Sequence, residues 1–182
     1  MKANEFVKRM LAAKPTKEAL LRAGRSSSFI NQFLKSYECT KRHSPLKITP
    51  VAGSEEVIEL FNQWNPGGID IAGIEFLPEP VSTPRGIQIA REEIHPLLIS
   101  PDGEIIVEEE GTKGHRLSEA AKSGNDFLDA LVLAAVFFGK RGTGEIDHED
   151  LNATSSAARD CATAAGGNKY QRFYRNLLGA DE

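Results

Sequence analysis

Apolar residues in the first third of the chain recur at the spacing of amphipathic helices. Within residues 1–37, apolar positions three and four apart predict three short helices. Ser54 is placed to cap a fourth helix, whose apolar face ends at Trp64. The sequence Asn-Pro-Gly-Gly at 65–68 is expected to stop that helix, and residues 39–53 are expected mainly to form a connection.

The pattern changes to alternation between residues 69 and 107, which is the period of β-strands. The clearest hairpin consists of the apolar runs 97–99 and 105–107, joined by a Ser-Pro-Asp-Gly sequence at 100–103. Proline at the second and glycine at the fourth position of that sequence suit a type I turn. Three glutamates at 108–110 are expected to end the last of these strands.

The helical period returns in the last third of the chain. Ser118 is placed to cap a short turn, and Asn125 is placed to cap a longer helix that ends near Gly139. Residues 140–150 are expected to form a polar loop, and a pair of helices is expected within 151–182.

The order of these elements is helices, then strands, then helices, and it predicts an α+β fold. Strands that are joined by short turns favour a central antiparallel sheet, here of about four strands, flanked by N-terminal and C-terminal helices. Three sections follow: a helical section at 1–50, an α+β core at 51–139, and a loop with a helical pair at 140–182. We expect them to form one compact domain.

Charge is unevenly distributed between the parts of the chain, although the net charge is only −4. Residues 1–50 contain 11 Lys and Arg against 3 Asp and Glu, whereas residues 51–150 contain 7 against 20. A basic head and an acidic body imply different partners for the two parts. The alternative is that the two parts attract each other and keep the protein in solution.

Composition points to a globular protein of the cytoplasm. Cys39 and Cys161 are the two cysteines in the sequence, and a disulfide framework is not expected from them. The longest apolar run has eight residues, far short of the roughly 20 that a membrane-spanning helix needs. The N-terminus has no apolar core of signal-peptide length, and no membrane association is predicted.

Motifs of catalysis and cofactor binding are not found in the sequence, so no catalytic residue, metal or cofactor is predicted. Two features leave a small enzyme open as an alternative. Cys39 lies close to Lys41 and Arg42, which could lower the pKa of its thiol. The run Asp147-His148-Glu149-Asp150 could hold a divalent ion, although an exposed loop with Asp150 as a helix cap is favoured.

Three segments within residues 54–138 form a recognisable series: Phe61-Asn-Gln-Trp-Asn-Pro-Gly-Gly68, the strand–turn–strand from Leu97 to Val107, and the closing segment from Arg116 to Leu128. With these segments, residues 54–138 resemble the SUKH superfamily of bacterial immunity proteins. The chain departs from the family pattern because Pro66 interrupts the Asn-Gly-Gly and because no Leu-Pro precedes the first helix. The resemblance implies binding rather than catalysis, namely neutralisation of a toxin by covering its working surface.

The negative charge of the middle section agrees with a binding function and would steer association with a basic protein. We therefore predict a cognate protein toxin, or another basic protein, as the partner. The residues predicted to bind it are Asp102, Glu104, Glu108, Glu109 and Glu110.

A nucleic-acid-binding regulator is the alternative from a different class. The spacing of Leu20, Gly24 and Ile30 is roughly that of a helix-turn-helix, and basic residues surround it. The residues that would contact nucleic acid are Arg22, Arg25, Lys35, Lys41 and Arg42. Aromatic residues such as Tyr170 and Tyr174 could also form a homodimer interface, although their helical spacing favours the core.

Overall fold

A computed structural model of the chain describes residues 1–112 and 114–180. The fold is α+β, as predicted, but its sheet has seven antiparallel strands rather than about four. The strands follow one another in sequence order as a meander, so each is hydrogen-bonded to its neighbours in the chain. The strands are β1 (Tyr37–Lys41), β2 (Trp64–Ile71), β3 (Ile74–Thr83), β4 (Gly86–Glu92), β5 (His95–Ile99), β6 (Ile105–Glu108) and β7 (Arg116–Ala121).

The helices lie before, within and after the meander. A 3-10 turn, Asn168–Tyr170, precedes the last of them. The helices of the described residues are α1 (Ala3–Ala13), α2 (Lys17–Arg22), α3 (Ser27–Lys35), α4 (Glu55–Gln63), α5 (Gly124–Thr143), α6 (Leu151–Ala164) and α7 (Gln171–Leu178). Among them, no helix is both long enough and apolar enough to cross a bilayer.

The strands that the alternation pattern did not predict lie in polar or glycine-rich segments of the sequence. The Asn-Pro-Gly-Gly segment does end α4, but it then continues directly as the first half of β2. Proline is tolerated there because the register with β1 shifts at this point. A Cβ on Gly68 would lie 2.7 Å from the carbonyl oxygen of Glu38, so glycine allows β1 to approach β2. Ser118, expected to cap a turn, lies inside β7.

Helix α5 continues one turn beyond the predicted end at Gly139. Gly139 and Gly142 do not end the helix, because they lie where other parts of the chain pack closely against it. A Cβ on Gly139 would lie 2.9 Å from the carbonyl oxygen of Ala13, and a Cβ on Gly142 would lie 2.9 Å from the ring of Phe33. The helix ends at Gly144, which has the left-handed conformation (φ 77°) typical of a helix C-terminus.

One hydrophobic core joins all three predicted sections. Phe6 of α1, Phe127 of α5 and Tyr174 of α7 belong to the same buried cluster, together with the inward residues of the sheet. The buried hydroxyl of Tyr37 donates a hydrogen bond of 2.9 Å to the carbonyl oxygen of Ala135, which fixes β1 to α5. Tyr170 and Tyr174 are also buried, in agreement with the core assignment of their helical pattern.

Candidate protein-binding surface at one end of the sheet

Three connections of the meander lie at the same end of the sheet, because antiparallel strands reverse direction at each turn. They are the β2–β3 turn at 72–73, the β4–β5 turn at 93–94 and the β6–β7 loop. The backbone N–H of Glu93 donates to the carbonyl oxygen of Gly73 (2.8 Å), and that of Glu110 donates to Nδ1 of His95 (3.1 Å). These bonds hold the three connections side by side.

Carboxylates are concentrated on these connections and on the strand ends next to them. We call this group the acidic end. Its members are Asp70, Glu75, Glu92, Glu93, Glu109 and Glu110.

Tight turn geometry presents these side chains. Ala72 (φ 59°) and Gly73 (φ 83°) form the two-residue β2–β3 turn, in which both residues have positive φ. Glu93 also has positive φ (53°), a conformation that costs a residue with a Cβ about 1 kcal/mol or more. The fold therefore holds a glutamate at a position where glycine would be the relaxed choice.

Two carboxyl groups of the acidic end have a raised pKa. For Asp70, partial burial is the largest cause, the neighbouring carboxylate of Glu75 adds to it, and a hydrogen bond from the backbone of Gly73 opposes it. For Glu92, partial burial is again the largest cause, Glu93 adds to it, and His95 opposes it. In both cases the pKa rises because the ionised form is poorly solvated and lies beside a like charge.

Counter-charges are scarce at the acidic end. Within residues 1–112 and 114–180, the carboxylates of Asp70, Glu75, Glu92 and Glu93 form no ion pair with a basic side chain. Glu109 lies 3.3 Å from Nδ1 of His115. Arg91 lies opposite Glu75 in the register of β3 and β4 but forms no ion pair with it among the described residues, so the negative charge is compensated only in part.

The predicted partner-binding residues are divided between different surroundings. Glu109 and Glu110 belong to the acidic end, whereas Asp102 and Glu104 lie at the opposite end, in the β5–β6 turn. Ser100 donates a hydrogen bond to Asp102, which is the largest cause of the lowered pKa of that carboxyl. Glu108 is buried and lies 2.6 Å from the guanidinium of Arg85.

Glu104 takes part in a charge network within the protein. Its carboxylate contacts Arg116 (3.1 Å) and Lys169 (2.5 Å) and accepts a hydrogen bond from the hydroxyl of Tyr170 (3.2 Å). Lys169 also lies 3.9 Å from Glu119. Because this network matches each carboxylate with a nearby cation, the opposite end of the sheet carries much less uncompensated charge.

Sequence analysis missed four members of the acidic end: Asp70, Glu75, Glu92 and Glu93. A signal for them was present in the strand register. Asp70 pairs with Glu75 across the β2–β3 turn, and Glu92 pairs with His95 across the β4–β5 turn. Both connections are two-residue turns, and strand direction reverses at each turn of an antiparallel meander. Following that reversal along the chain would have placed these four residues at the same end of the sheet as Glu110.

The residues of the nucleic-acid alternative differ in their availability. Arg25 donates to the carbonyl oxygens of Arg141 and Gly142, and Arg42 donates to backbone carbonyl oxygens that include Phe61 (2.9 Å). These two side chains are thus engaged in holding the fold. Arg22, Lys35 and Lys41 are exposed.

Cys39 and the run 147–150, on which the alternative of a small enzyme depended, have surroundings typical of structural residues. Burial raises the pKa of the Cys39 thiol to about 12 despite the opposing charge of Arg42, which is opposite to the lowering considered from sequence. Cys161 is buried, and its pKa is also raised to about 12. Asp150 caps α6 by accepting a hydrogen bond from the backbone N–H of Ala153 (2.9 Å). Among the residues described, no group of three His, Cys, Asp or Glu side chains is arranged to hold a metal ion.

Two grooves lie on either side of the β2–β3 turn and share Ala72. One, of about 310 Å³, separates this turn from α3. The other, of about 440 Å³, separates the β4–β5 turn from α7 and is lined by polar groups that include Glu92, His95 and Arg172.

Comparison of the chain with protein-family models, curated proteins and solved structures gave no match.

Proposed function

We propose that this protein is a non-catalytic binding protein whose acidic end engages a basic partner protein. The observation that supports the proposal is the crowding of Asp70, Glu75, Glu92 and Glu93 without an ion pair to any basic side chain of residues 1–112 and 114–180. Like charges held together cost free energy in the free protein. A cationic surface bound at this end would offset that cost and lower the pKa of Asp70 and Glu92.

Charge of this kind acts first on the rate of association. A patch of one sign steers an oppositely charged protein toward it and raises the association rate constant, most strongly at low salt. The grooves beside the β2–β3 turn add concave surface next to the charge, which a flat acidic patch would not offer. Shape and charge at this end thus favour a protein partner with a basic protrusion.

The SUKH resemblance of residues 54–138 suggests the class of that partner. We propose a cognate toxin whose basic working surface, such as the nucleic-acid-binding surface of a nuclease, is masked by the acidic end. Masking needs no catalytic group on the masking protein, because excluding the toxin's substrate is sufficient.

The test begins with affinity capture from a lysate of the native cell at about 50 mM and 500 mM salt, followed by mass spectrometry. The captured basic protein is then purified, and its association with the full chain is measured as a function of salt. The variant Glu75→Gln/Glu92→Gln/Glu93→Gln removes three charges from the acidic end. The matched control removes three exposed charges near α6 and is Glu145→Gln/Glu149→Gln/Asp160→Asn.

We expect the acidic-end variant to associate about tenfold or more slowly at low salt and to lose most of its salt dependence, as for removal of steering charges. The control should keep both properties within about twofold. Equal effects of the two variants would contradict the proposal. Capture of nucleic acid, lost on substitution of Arg22, Lys35 and Lys41 by alanine, would instead favour the regulator alternative.

A further inference from the structure

The groove between α3 and the β2–β3 turn combines an apolar wall with a single charged group. Its volume of about 310 Å³ is at the lower limit of ligand pockets, so it has room for one side chain or a small molecule. Its lining includes Phe29, Phe33, Asp70 and Phe138.

Aromatic residues form the apolar wall. The rings of Phe29 and Phe33 stack with their centroids 5.2 Å apart, and Tyr37 meets Phe33 edge to face at 5.7 Å. Phe29 is 39% exposed although its ring is large and apolar. Phe138 from α5 adds a third phenylalanine on the wall. A wall of this kind suits an alkyl stem, which loses contact with water on entry.

The polar groups of the groove can all accept hydrogen bonds. The carboxylate of Asp70 is half-buried and has no ion pair within residues 1–112 and 114–180. The hydroxyl of Ser36 donates to the carbonyl oxygen of Phe33 (2.8 Å), which leaves its oxygen free to accept. Gln32 supplies an amide oxygen as well. A planar group with several N–H donors and a positive charge matches this set, and a guanidinium has five such donors.

The chain's own Arg25 is not the occupant. Its guanidinium lies over the ring of Phe29, 5.6 Å from the centroid, but it donates to the carbonyl oxygens of Arg141 and Gly142. A free amino acid is also disfavoured, because the negative charge of the nearby acidic end repels its α-carboxylate. An arginine within a polypeptide has no such carboxylate.

We propose that this groove accepts an arginine side chain of the basic partner, with its guanidinium on Asp70 and its alkyl stem against Phe29, Phe33 and Phe138. The inference rests on the proposed function and adds the side chain that would anchor the partner. Arginine buried in a pocket is a common anchor of protein interfaces, because the pocket excludes water from the charged contact.

The test uses the full chain without any partner. N-acetyl-arginine-N-methylamide is titrated at low salt while backbone amide resonances are followed by NMR, and N-acetyl-citrulline-N-methylamide serves as the uncharged isostere. We expect shifts concentrated at 29–36 and 70–73, with binding about tenfold or more weaker for the citrulline compound. Asp70→Asn and Phe29→Ala should weaken binding, whereas the exposed controls Asp160→Asn and Leu21→Ala should not. Denaturation curves of the four variants check that each is folded.

Several outcomes would overturn the inference. Equal binding of the citrulline compound, or unchanged binding by folded Asp70→Asn, would show that charge recognition does not occur in the groove. Tighter binding of free arginine than of the blocked compound would point to a small-molecule ligand instead. The acidic-end variant described above leaves Asp70 intact. If it loses partner binding while the arginine probe fails to bind, the inference falls and the proposed function stands. If the probe binds while that variant keeps full partner binding, the groove accepts arginine, but the proposed function falls and the assignment of this arginine to a partner held by the acidic end falls with it.

Discussion

The buried ion pair of Arg85 and Glu108 leads to a quantitative prediction about a residue that the sequence assigned to partner binding. The guanidinium of Arg85 lies 2.6 Å from Oε2 of Glu108, and the Glu108 side chain is only 5% exposed whereas that of Arg85 is 40% exposed. No aligned hydrogen bond reaches this oxygen in the described structure, so the attraction is mainly Coulombic. Glu108 is therefore expected to stabilise the fold rather than to contact a partner.

Replacing Arg85 should lower the free energy of unfolding more than replacing Glu108. Arg85→Met leaves a carboxylate buried on the sheet face that also contains Ile106, because residues 106 and 108 alternate to the same side of β6. Breaking a fully buried pair costs about 3–5 kcal/mol, and the partial exposure of Arg85 reduces this to about 1–3 kcal/mol. Glu108→Gln leaves the cation where water can reach it, so we expect a smaller loss, about 1 kcal/mol.

The measurement is a double-mutant cycle from urea unfolding at neutral pH. The free energy of unfolding is obtained for the wild type, Arg85→Met, Glu108→Gln and the double variant, and the slopes against urea must agree for the comparison to hold. We expect a coupling energy of about 1–2 kcal/mol, because the double variant no longer contains an unpaired buried charge. Glu109→Gln is the matched control, and it should change stability by less than about 0.5 kcal/mol. A loss for Arg85→Met no larger than that of the control would refute the reasoning.

Three further predictions follow from burial and backbone geometry. Asp70→Asn and Glu92→Gln should each raise the free energy of unfolding at pH 7 by roughly 0.2–1 kcal/mol, the range of exposed charge interactions. Because their folded-state pKa values are raised, the wild type gains stability as the pH falls through those values, so the advantage of the variants should vanish in acid denaturation series. An advantage that persisted below the usual carboxyl pKa would rule out this cause. Gly103→Ala should cost about 3 kcal/mol or more, because its Cβ would lie 2.0 Å from a backbone carbonyl oxygen, whereas Gly111→Ala, at a similar positive φ in open space, should cost about 1 kcal/mol. Similar melting temperatures of the two variants would contradict the steric argument. Cys39 should react with a thiol reagent at pH 8 only as fast as the protein opens, because a thiol with a pKa of about 12 is almost entirely protonated there; reaction at the rate of a free thiol would disprove this.

Sequence patterns predicted the helices well because most have a clear apolar face, and several have a side-chain cap. Ser54 precedes α4 as predicted, but its hydroxyl bonds to the backbone of Val51 and does not cap the helix. Thr16 caps α2 by accepting a hydrogen bond from Ala19, and Ser123 caps α5 in the same way, two residues before the predicted Asn125. The strands were predicted less completely because three of them lack simple alternation. Strand β7 consists of Arg-Leu-Ser-Glu-Ala-Ala, which has few β-forming residues and is held by its pairing with β6.

The candidate site was the least predictable feature, since charge counted along the chain does not show which charges are paired. Glu104 and Glu108 were as plausible from sequence as Glu109 and Glu110. Their difference arises from Lys169, 65 residues away from Glu104, and from the reach of Arg85 to Glu108. Such long-range pairs become visible only when the meander is assembled.

The acidic end gives this protein a conflict between stability and binding. Carboxylates that repel one another lower the stability of the free protein, and a fold selected for stability alone would place a lysine rather than Asp70 beside Glu75, or a glycine at position 93. Here Glu93 combines a carboxylate with a positive φ, and within residues 1–112 and 114–180 it forms no ion pair with a basic side chain. The same substitutions that relieve the repulsion, Asp70→Asn and Glu92→Gln, should therefore stabilise the free protein and weaken its hold on a basic partner. A variant that gained stability and bound the partner as tightly as the wild type would separate the two effects and remove the electrostatic basis of the proposed interface.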